Sequence, residues 1–177
     1  MNGLHNKTKL IFTLLVAGFS GLATAQSPNW TPIFKSFENA CNVSEKSTYG
    51  IFKKNLIVYP ETGFENQLGK VILPKAYLNA TGKAKRTNKG EYADYTIPVT
   101  SGTYYGMPVQ SIEIYVGHGN GINGEDIILN VPYNEAKKKL KNIKFKKTPF
   151  DPTGGYIQAK ISREGKKMTR ISCDYST

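Results

Sequence analysis

The stretch Tyr115–Leu129, YVGHGNGINGEDIIL, decides how the fold is interpreted, because it contains GNGING, a formal match to the dinucleotide-binding pattern G-x-G-x-x-G. In such a site the glycine loop leads from a strand into a helix, whose N-terminal amides hold the pyrophosphate. Here the loop leads into EDIILNV, residues 125–131, whose apolar side chains alternate as in a strand. The acidic residue expected about 20 positions further on is also missing. The stretch therefore predicts a β-hairpin and no nucleotide cofactor.

The loop of this hairpin, residues 117–124, has two other interpretations. Four side chains in or just after it carry oxygen ligands suited to Ca²⁺: Asn120, Asn123, Glu125 and Asp126. Calcium-binding glycine loops of this kind depend on tandem copies, however, and the chain has one, so no metal site is predicted. Alternatively, the loop projects as a binding loop that presents His118 and Asn120. The favoured explanation is that Gly and Asn simply adopt left-handed backbone angles.

Outward from the hairpin, the sequence alternates between strand and helix patterns. Two groups of apolar residues alternate as in strands, Ile112, Ile114 and Val116, and Ile157, Ala159 and Ile161. In the last strand, Thr169, Ile171 and Cys173 share one face. Thr31-Pro32 begins a helix whose apolar stripe reaches Cys41 and which ends at Asn42. Residues 132–142, PYNEAKKKLKN, form a second, lysine-rich helix, whose apolar stripe of Ala136 and Leu140 is expected to pack on the sheet. The prediction is a single α+β domain with an antiparallel sheet, on which the N-terminal helix and the lysine-rich helix pack.

The first 25 residues have the features of a signal peptide. Lys7 and Lys9 precede the apolar run 10–22, and Ala23-Thr24-Ala25 offers small residues for cleavage. The run is shorter than the roughly 20 residues of a membrane-spanning helix, and no second apolar segment follows it. We therefore expect no transmembrane anchor, cleavage near Ala25, and a periplasmic or secreted domain that comprises residues 26–177.

The two cysteines, Cys41 and Cys173, predict a disulfide bond, because export places them in an oxidising compartment. Cys41 lies on the apolar stripe of the first helix and Cys173 shares a strand face with Ile171, so both face the core. The alternatives are a buried free thiol and a metal pair. A metal pair is not favoured, because His118 is the only histidine beyond residue 25.

Catalytic residues are not predicted. His118 is the only candidate base for a Ser-His-Asp or Cys-His arrangement. It lies between two glycines in a loop expected to be mobile, where it is predicted to be a solvated residue that holds no nucleophile in place. The sequence lacks a Walker loop, an H-E-x-x-H motif and a G-x-S-x-G motif, and no spacing nominates a pair of glycosidase carboxylates. A hydrolase is therefore the third hypothesis.

The chain is strongly basic, with a net charge of +11 that falls to +9 without Lys7 and Lys9. A group of lysines falls within 137–147, a second basic group within 83–89, and a third around the last turn at 163–170. Each group alone is explained by a solvated surface, whereas together they attract anionic partners. The predicted binding residues are Lys137, Lys138, Lys141, Lys144, Lys83, Lys85 and Arg86, with His118 and Asn120 of the hairpin loop.

The preferred functional hypothesis is a non-catalytic protein that binds an acidic protein partner. Small exported α+β domains with one disulfide and basic loops include inhibitors and immunity proteins, an analogy at the level of fold. The alternative is an envelope protein that binds lipopolysaccharide or anionic lipid. Nucleic acid is not favoured, because stacking aromatics are not clearly interleaved with the basic residues.

Overall fold

The computed structural model describes residues 27–61, 65–149 and 155–177. The predicted signal peptide, residues 1–25, lies outside the described residues. Within these ranges, none of the helices combines the length and the apolar character needed to cross a bilayer.

Antiparallel strands and a few short helices form a single domain. The described helices are α1 (Lys35–Glu38), α2 (Thr48–Leu56), α3 (Lys75–Leu78) and α4 (Tyr133–Leu140). The described strands are β1 (Ile57–Val58), β2 (Gln67–Leu68), β3 (Lys85–Asn88), β4 (Tyr92–Pro98), β5 (Thr103–Tyr104), β6 (Met107–Gly117), β7 (Asn123–Leu129), β8 (Thr148–Pro149), β9 (Tyr156–Ile157), β10 (Lys160–Glu164) and β11 (Met168–Asp174). The main sheet has the order β10-β11-β7-β6-β4-β3, and β5 pairs with β6. The predicted antiparallel sheet is therefore confirmed.

The stretch Tyr115–Leu129 forms a β-hairpin, as predicted, because β6 and β7 pair antiparallel with Ile114 opposite Glu125. Its loop does not project freely. The backbone amide of His118 and the side-chain amide of Asn120 both donate to the carbonyl oxygen of Glu91, at 3.0 Å each. Residues at the C terminus also pair with it, since Tyr175 N donates to Asn123 O at 2.8 Å.

The core lies on one face of the main sheet, where the predicted alternation of apolar residues holds. Five isoleucines on this face are fully buried: Ile97, Ile112, Ile114, Ile127 and Ile171. Aromatic residues from the N-terminal part of the domain cover them, and Phe34 packs edge-on against both Phe37 and Tyr49. Helix α4 lies beside β10 and β11 and buries Ala136 and Leu140. The helical spacing therefore identified the buried stripe of α4 correctly.

The predicted helix from Thr31 to Asn42 is not confirmed as a continuous helix. Only α1 is helical, and Ala40 and Cys41 then adopt left-handed backbone angles, with φ of 55° and 57°. Left-handed angles cost non-glycine residues roughly 1–2 kcal/mol each, so tertiary contacts hold this turn. The predicted burial of Cys41 is nevertheless correct. Helix α2 was not predicted, although Ser47 is a typical N-cap whose Oγ accepts from Gly50 N at 3.0 Å.

The predicted disulfide joins the end of this N-terminal segment to β11. Cys41 and Cys173 are bonded with a Cα–Cα distance of 5.7 Å, and both side chains are buried. The two cysteines are separated by 132 positions in the sequence, so the bond closes a very long loop. It therefore ties the aromatic N-terminal segment to the core face of the main sheet.

Gly102 provides a test of how tightly the N-terminal segment packs. Its φ is +111°, and a Cβ there would lie 2.4 Å from Trp30 Nε1 and 2.5 Å from Pro28 O. Trp30 is fully buried and its Nε1 donates to Ser101 O at 3.1 Å, so the indole cannot shift away from an added methyl group without disturbing these contacts. We expect Gly102→Ala to lower the free energy of unfolding by about 2–4 kcal/mol, through overpacking and backbone strain together.

The matched control is Gly106→Ala in the same part of the chain. Gly106 also has a positive φ, +72°, but a Cβ there meets nothing within 4 Å. This variant isolates the backbone cost, about 1–2 kcal/mol. Urea unfolding of both variants measures the difference, and equal losses would contradict the packing described for Trp30.

Candidate functional site

Apart from Lys144, the predicted binding residues lie in three places. Lys83 precedes β3, and Lys85 and Arg86 belong to it, at one edge of the main sheet. The second place is α4 and the residue after it, beside the opposite edge, and it holds Lys137, Lys138 and Lys141. The third is the hairpin loop with His118 and Asn120. These residues do not form one surface, and the binding role of each stays a prediction.

The hairpin loop residues serve the fold in identifiable ways. Asn120 spans the loop, since its Oδ1 accepts from Ile122 N at 3.2 Å while its amide group donates to Glu91 O. The prediction that His118 is a solvated residue is wrong. Both of its ring nitrogens are shielded from solvent and lack a hydrogen-bond partner among the described residues. The imidazole is therefore half-buried in the loop.

Lys144 belongs to a different feature, a concave surface lined by lysines. Two adjoining cavities of about 610 and 630 Å³ lie between residues 39–47 and the segment that follows α4, residues 142–148. They share Asn39, Asn42 and Lys146 in their walls. Five lysines line the two cavities, which we call the lysine groove: Lys35, Lys53, Lys144, Lys146 and Lys147.

The segment 142–148 is held in place beside α1. The amide of Lys146 donates to Glu38 O at 2.9 Å, and its Nζ lies 3.2 Å from Asn39 Oδ1. On the other side, Gln158 Nε2 donates to Phe145 O at 2.7 Å. Because side chains alternate in an extended segment, Phe145 packs against the core while Lys144 and Lys146 are exposed. The order Lys-Phe-Lys therefore explains why both lysines point away from the core.

A buried ion pair lies at the base of the groove. Glu125, on the core face of β7, is fully buried, and its Oε2 lies 2.8 Å from Lys53 Nζ. The Tyr175 hydroxyl lies 2.9 Å from Glu125 Oε1 and 2.6 Å from the carbonyl oxygen of Cys41. Burial, followed by the Glu125 carboxylate, raises the pKa of Tyr175, so this hydroxyl keeps its proton and donates. Lys53 thus neutralises Glu125, and the Tyr175 hydroxyl lies between this carboxylate and the backbone of the left-handed turn at Cys41.

The lysines of the groove differ in how much charge they present to a partner. Lys53 is paired with Glu125, and Lys35 Nζ lies 2.5 Å from Glu38 Oε2. Three others, Lys144, Lys146 and Lys147, have no carboxylate within ion-pair distance among the residues that the structure describes. These three lysines give the groove its net positive charge.

A second charged cluster lies on the opposite face of the main sheet. Arg170 on β11 contacts three carboxylates, Glu164 at 2.8 Å, Glu113 at 3.2 Å and the buried Asp126. Burial raises the pKa of Glu113 and of Asp126, and Arg170 lowers it in part. Because its guanidinium is surrounded by these carboxylates, Arg170 adds nothing to the positive surface predicted around the last turn.

Two of the side chains whose oxygens suit Ca²⁺, Glu125 and Asp126, lie on opposite faces of the sheet. Glu125 faces the core and Asp126 faces the Arg170 cluster, as neighbours on a strand must. Across the ranges 27–61, 65–149 and 155–177, no group of three or more His, Cys, Asp or Glu side chains is arranged to hold a metal ion.

Comparison of the chain with protein-family models, curated proteins and solved structures found no match. The class of protein is therefore defined by its own features: a disulfide-bonded, mostly antiparallel single domain with a basic groove along its N-terminal segment.

Sequence reasoning found part of this groove. Lys144 was among the predicted binding residues, and Lys146 and Lys147 belonged to the same basic group. Lys35 and Lys53 were missed, because neither lies in a basic run that stands out. The alternation of Lys144, Phe145 and Lys146 is the signal that would have pointed to an extended segment with one buried side chain.

Proposed function

We propose that this chain is an exported, non-catalytic protein that binds an acidic protein partner in the lysine groove, in the manner of an inhibitor or immunity protein. The observation that carries the proposal is the concave placement of Lys144, Lys146 and Lys147 without carboxylate partners in the described chain. Clefts lined by charges of one sign concentrate the electrostatic field and attract partners of opposite charge. The convex face of α4 offers no such concentration.

The buried disulfide supports a periplasmic or secreted location. Disulfides form and persist in oxidising compartments and are rare in the cytosol, and Cys41–Cys173 is bonded. The same support extends to the proposed processing near Ala25, since export is what brings the chain to such a compartment.

The alternative partner is an anionic envelope surface, lipopolysaccharide or lipid. One observation favours it: Ile51, Val58 and Tyr59 expose large apolar side chains on and after α2, where Lys54 is also exposed. Apolar side chains beside cations are typical of proteins that bind to the surface of a bilayer. The concave position of the unpaired lysines favours a partner that can enter the groove, which a flat bilayer does not.

Charge reversal in the groove tests the proposal. We expect Lys144→Glu, Lys146→Glu and Lys147→Glu together to weaken binding of a fluorescein-labelled glutamate–serine peptide by about 10- to 100-fold, because attraction becomes repulsion at three positions. Fluorescence anisotropy measures the affinity. Added salt is expected to weaken binding to the unmodified protein, as ionic screening requires.

The matched control carries the same change of net charge at the far edge of the sheet, Lys83→Glu, Lys85→Glu and Lys89→Glu. We expect its affinity to stay within about twofold of the unmodified protein, because these lysines lie outside the groove and exposed charges are screened over about 10 Å. Equal losses in both triple variants would show that only net charge matters. Binding of phosphatidylglycerol vesicles but not of the peptide would favour the alternative.

A further inference from the structure

The lysine groove continues at one end into a third cavity of different character. This cavity, about 640 Å³, shares Val43 and Lys53 with the groove. Its other walls include Ile57 and Val58 of β1 and the following Tyr59. We call it the apolar end cavity.

Two side chains of the apolar end cavity are exposed to an unusual degree for their size. Val58 is 45% and Tyr59 is 68% exposed, beside the cavity that they line. Single exposed apolar side chains are ordinary, but two of them beside one cavity mark a place where an apolar group binds. The cavity also has Glu45, Lys53 and Lys54 in its walls, and Lys53 is shared with the lysine groove.

One segment of the chain runs along all three cavities. Residues 39–47 contribute Asn39 and Asn42 to both parts of the lysine groove, then Val43 to the groove and the apolar end cavity. The three cavities therefore follow one another, with the unpaired lysines in the two cavities of the lysine groove and the apolar end cavity beyond them. An occupant that matches these cavities is narrow, carries several negative charges in a row, and has an apolar group beyond them.

We propose, on the basis of the binding function above, that the partner inserts an extended acidic segment into the lysine groove and anchors it with one aromatic or large aliphatic side chain in the apolar end cavity. Its carboxylates pair with Lys144, Lys146 and Lys147. The apolar anchor fixes the direction in which the segment lies, because only one end of the groove accepts it. Interfaces commonly gain most of their affinity from such a buried anchor, with charged contacts around it.

Peptides with and without an anchor test this inference. The probes are the glutamate–serine peptide and two versions of it with a phenylalanine added at either the N-terminal or the C-terminal end. We expect phenylalanine at one end to raise the affinity about tenfold, as burial of a large apolar side chain does, and phenylalanine at the other end to change it little.

Val58→Ser assigns the gain to the cavity. We expect this variant to lose the tenfold gain while its affinity for the plain peptide stays unchanged. Leu78→Ser is the matched control, because Leu78 is 42% exposed on α3 and does not line the cavity. It should keep the gain. Thermal unfolding of both variants confirms that they are folded.

The outcomes separate this inference from the proposed function. If the plain peptide binds but phenylalanine adds nothing at either end, the anchor is overturned and the acidic partner stands. If no peptide binds, the proposed function itself is overturned. If phosphatidylglycerol vesicles bind in a Val58-dependent way while phenylalanine adds nothing to the peptides, the cavity serves a lipid surface and the inference is overturned.

Discussion

Reduction of the Cys41–Cys173 bond is expected to lower the free energy of unfolding by about 4–5 kcal/mol, because the bond closes a very long loop and so removes much chain entropy from the unfolded state. The loss is a large fraction of the stability of an ordinary domain, which is about 5–15 kcal/mol. Denaturant unfolding of the same chain, oxidised and reduced, measures it without any change of sequence.

The control for this experiment is the double variant Cys41→Ala with Cys173→Ala. The stability of this variant should be low and should not respond to reductant. Since Cys41 also belongs to the segment 39–47 that lines the lysine groove, we expect the reduced protein to bind the glutamate–serine peptide less tightly even where it stays folded. Mass spectrometry that finds two free thiols in the exported protein would contradict the role given to this bond.

Replacement of Lys53 by methionine is expected to lower the free energy of unfolding by about 3–5 kcal/mol. Glu125 is fully buried, and Lys53 is the cation that pairs with it. Removing one partner of a buried ion pair leaves the other charge uncompensated, which is costly even where the pair itself contributes little. Tyr175 still contacts Glu125 in this variant, but a single hydroxyl does not replace the ammonium group.

Two further variants identify the cause of this loss. Lys54→Met changes the next residue of α2, which is exposed, and we expect a change below about 0.5 kcal/mol. The double variant Lys53→Met with Glu125→Gln removes both charges and should recover a large part of the stability, as a double-mutant cycle by denaturant unfolding will show. If the double variant is as unstable as Lys53→Met, the loss comes from packing of the lysine side chain rather than from charge.

Patterns of period two and period 3.6 gave a correct account of burial along much of the chain. They placed Ile112, Ile114 and Ile127 on the core face, and Ala136 and Leu140 on the packed side of α4. They were less successful with the length of the first helix. Its buried stripe was predicted correctly, but the helix ends at Glu38 and does not continue to Asn42. The reason is that periodicity reports which side chains are apolar, while the disulfide and the Tyr175 contact hold Cys41 in a left-handed turn.

The sequence by itself determined the hairpin at Tyr115–Leu129, the antiparallel sheet, the pairing of the two cysteines and the excess of positive charge, because each follows from residue types and their spacing. Only the tertiary structure decided which lysines act together. Lys83 and Lys138 are distant, whereas Lys53 and Lys146 line one groove with the buried Glu125 beneath it. Such neighbours are far apart in the sequence, and their meeting depends on the path of the whole chain, which no local pattern records.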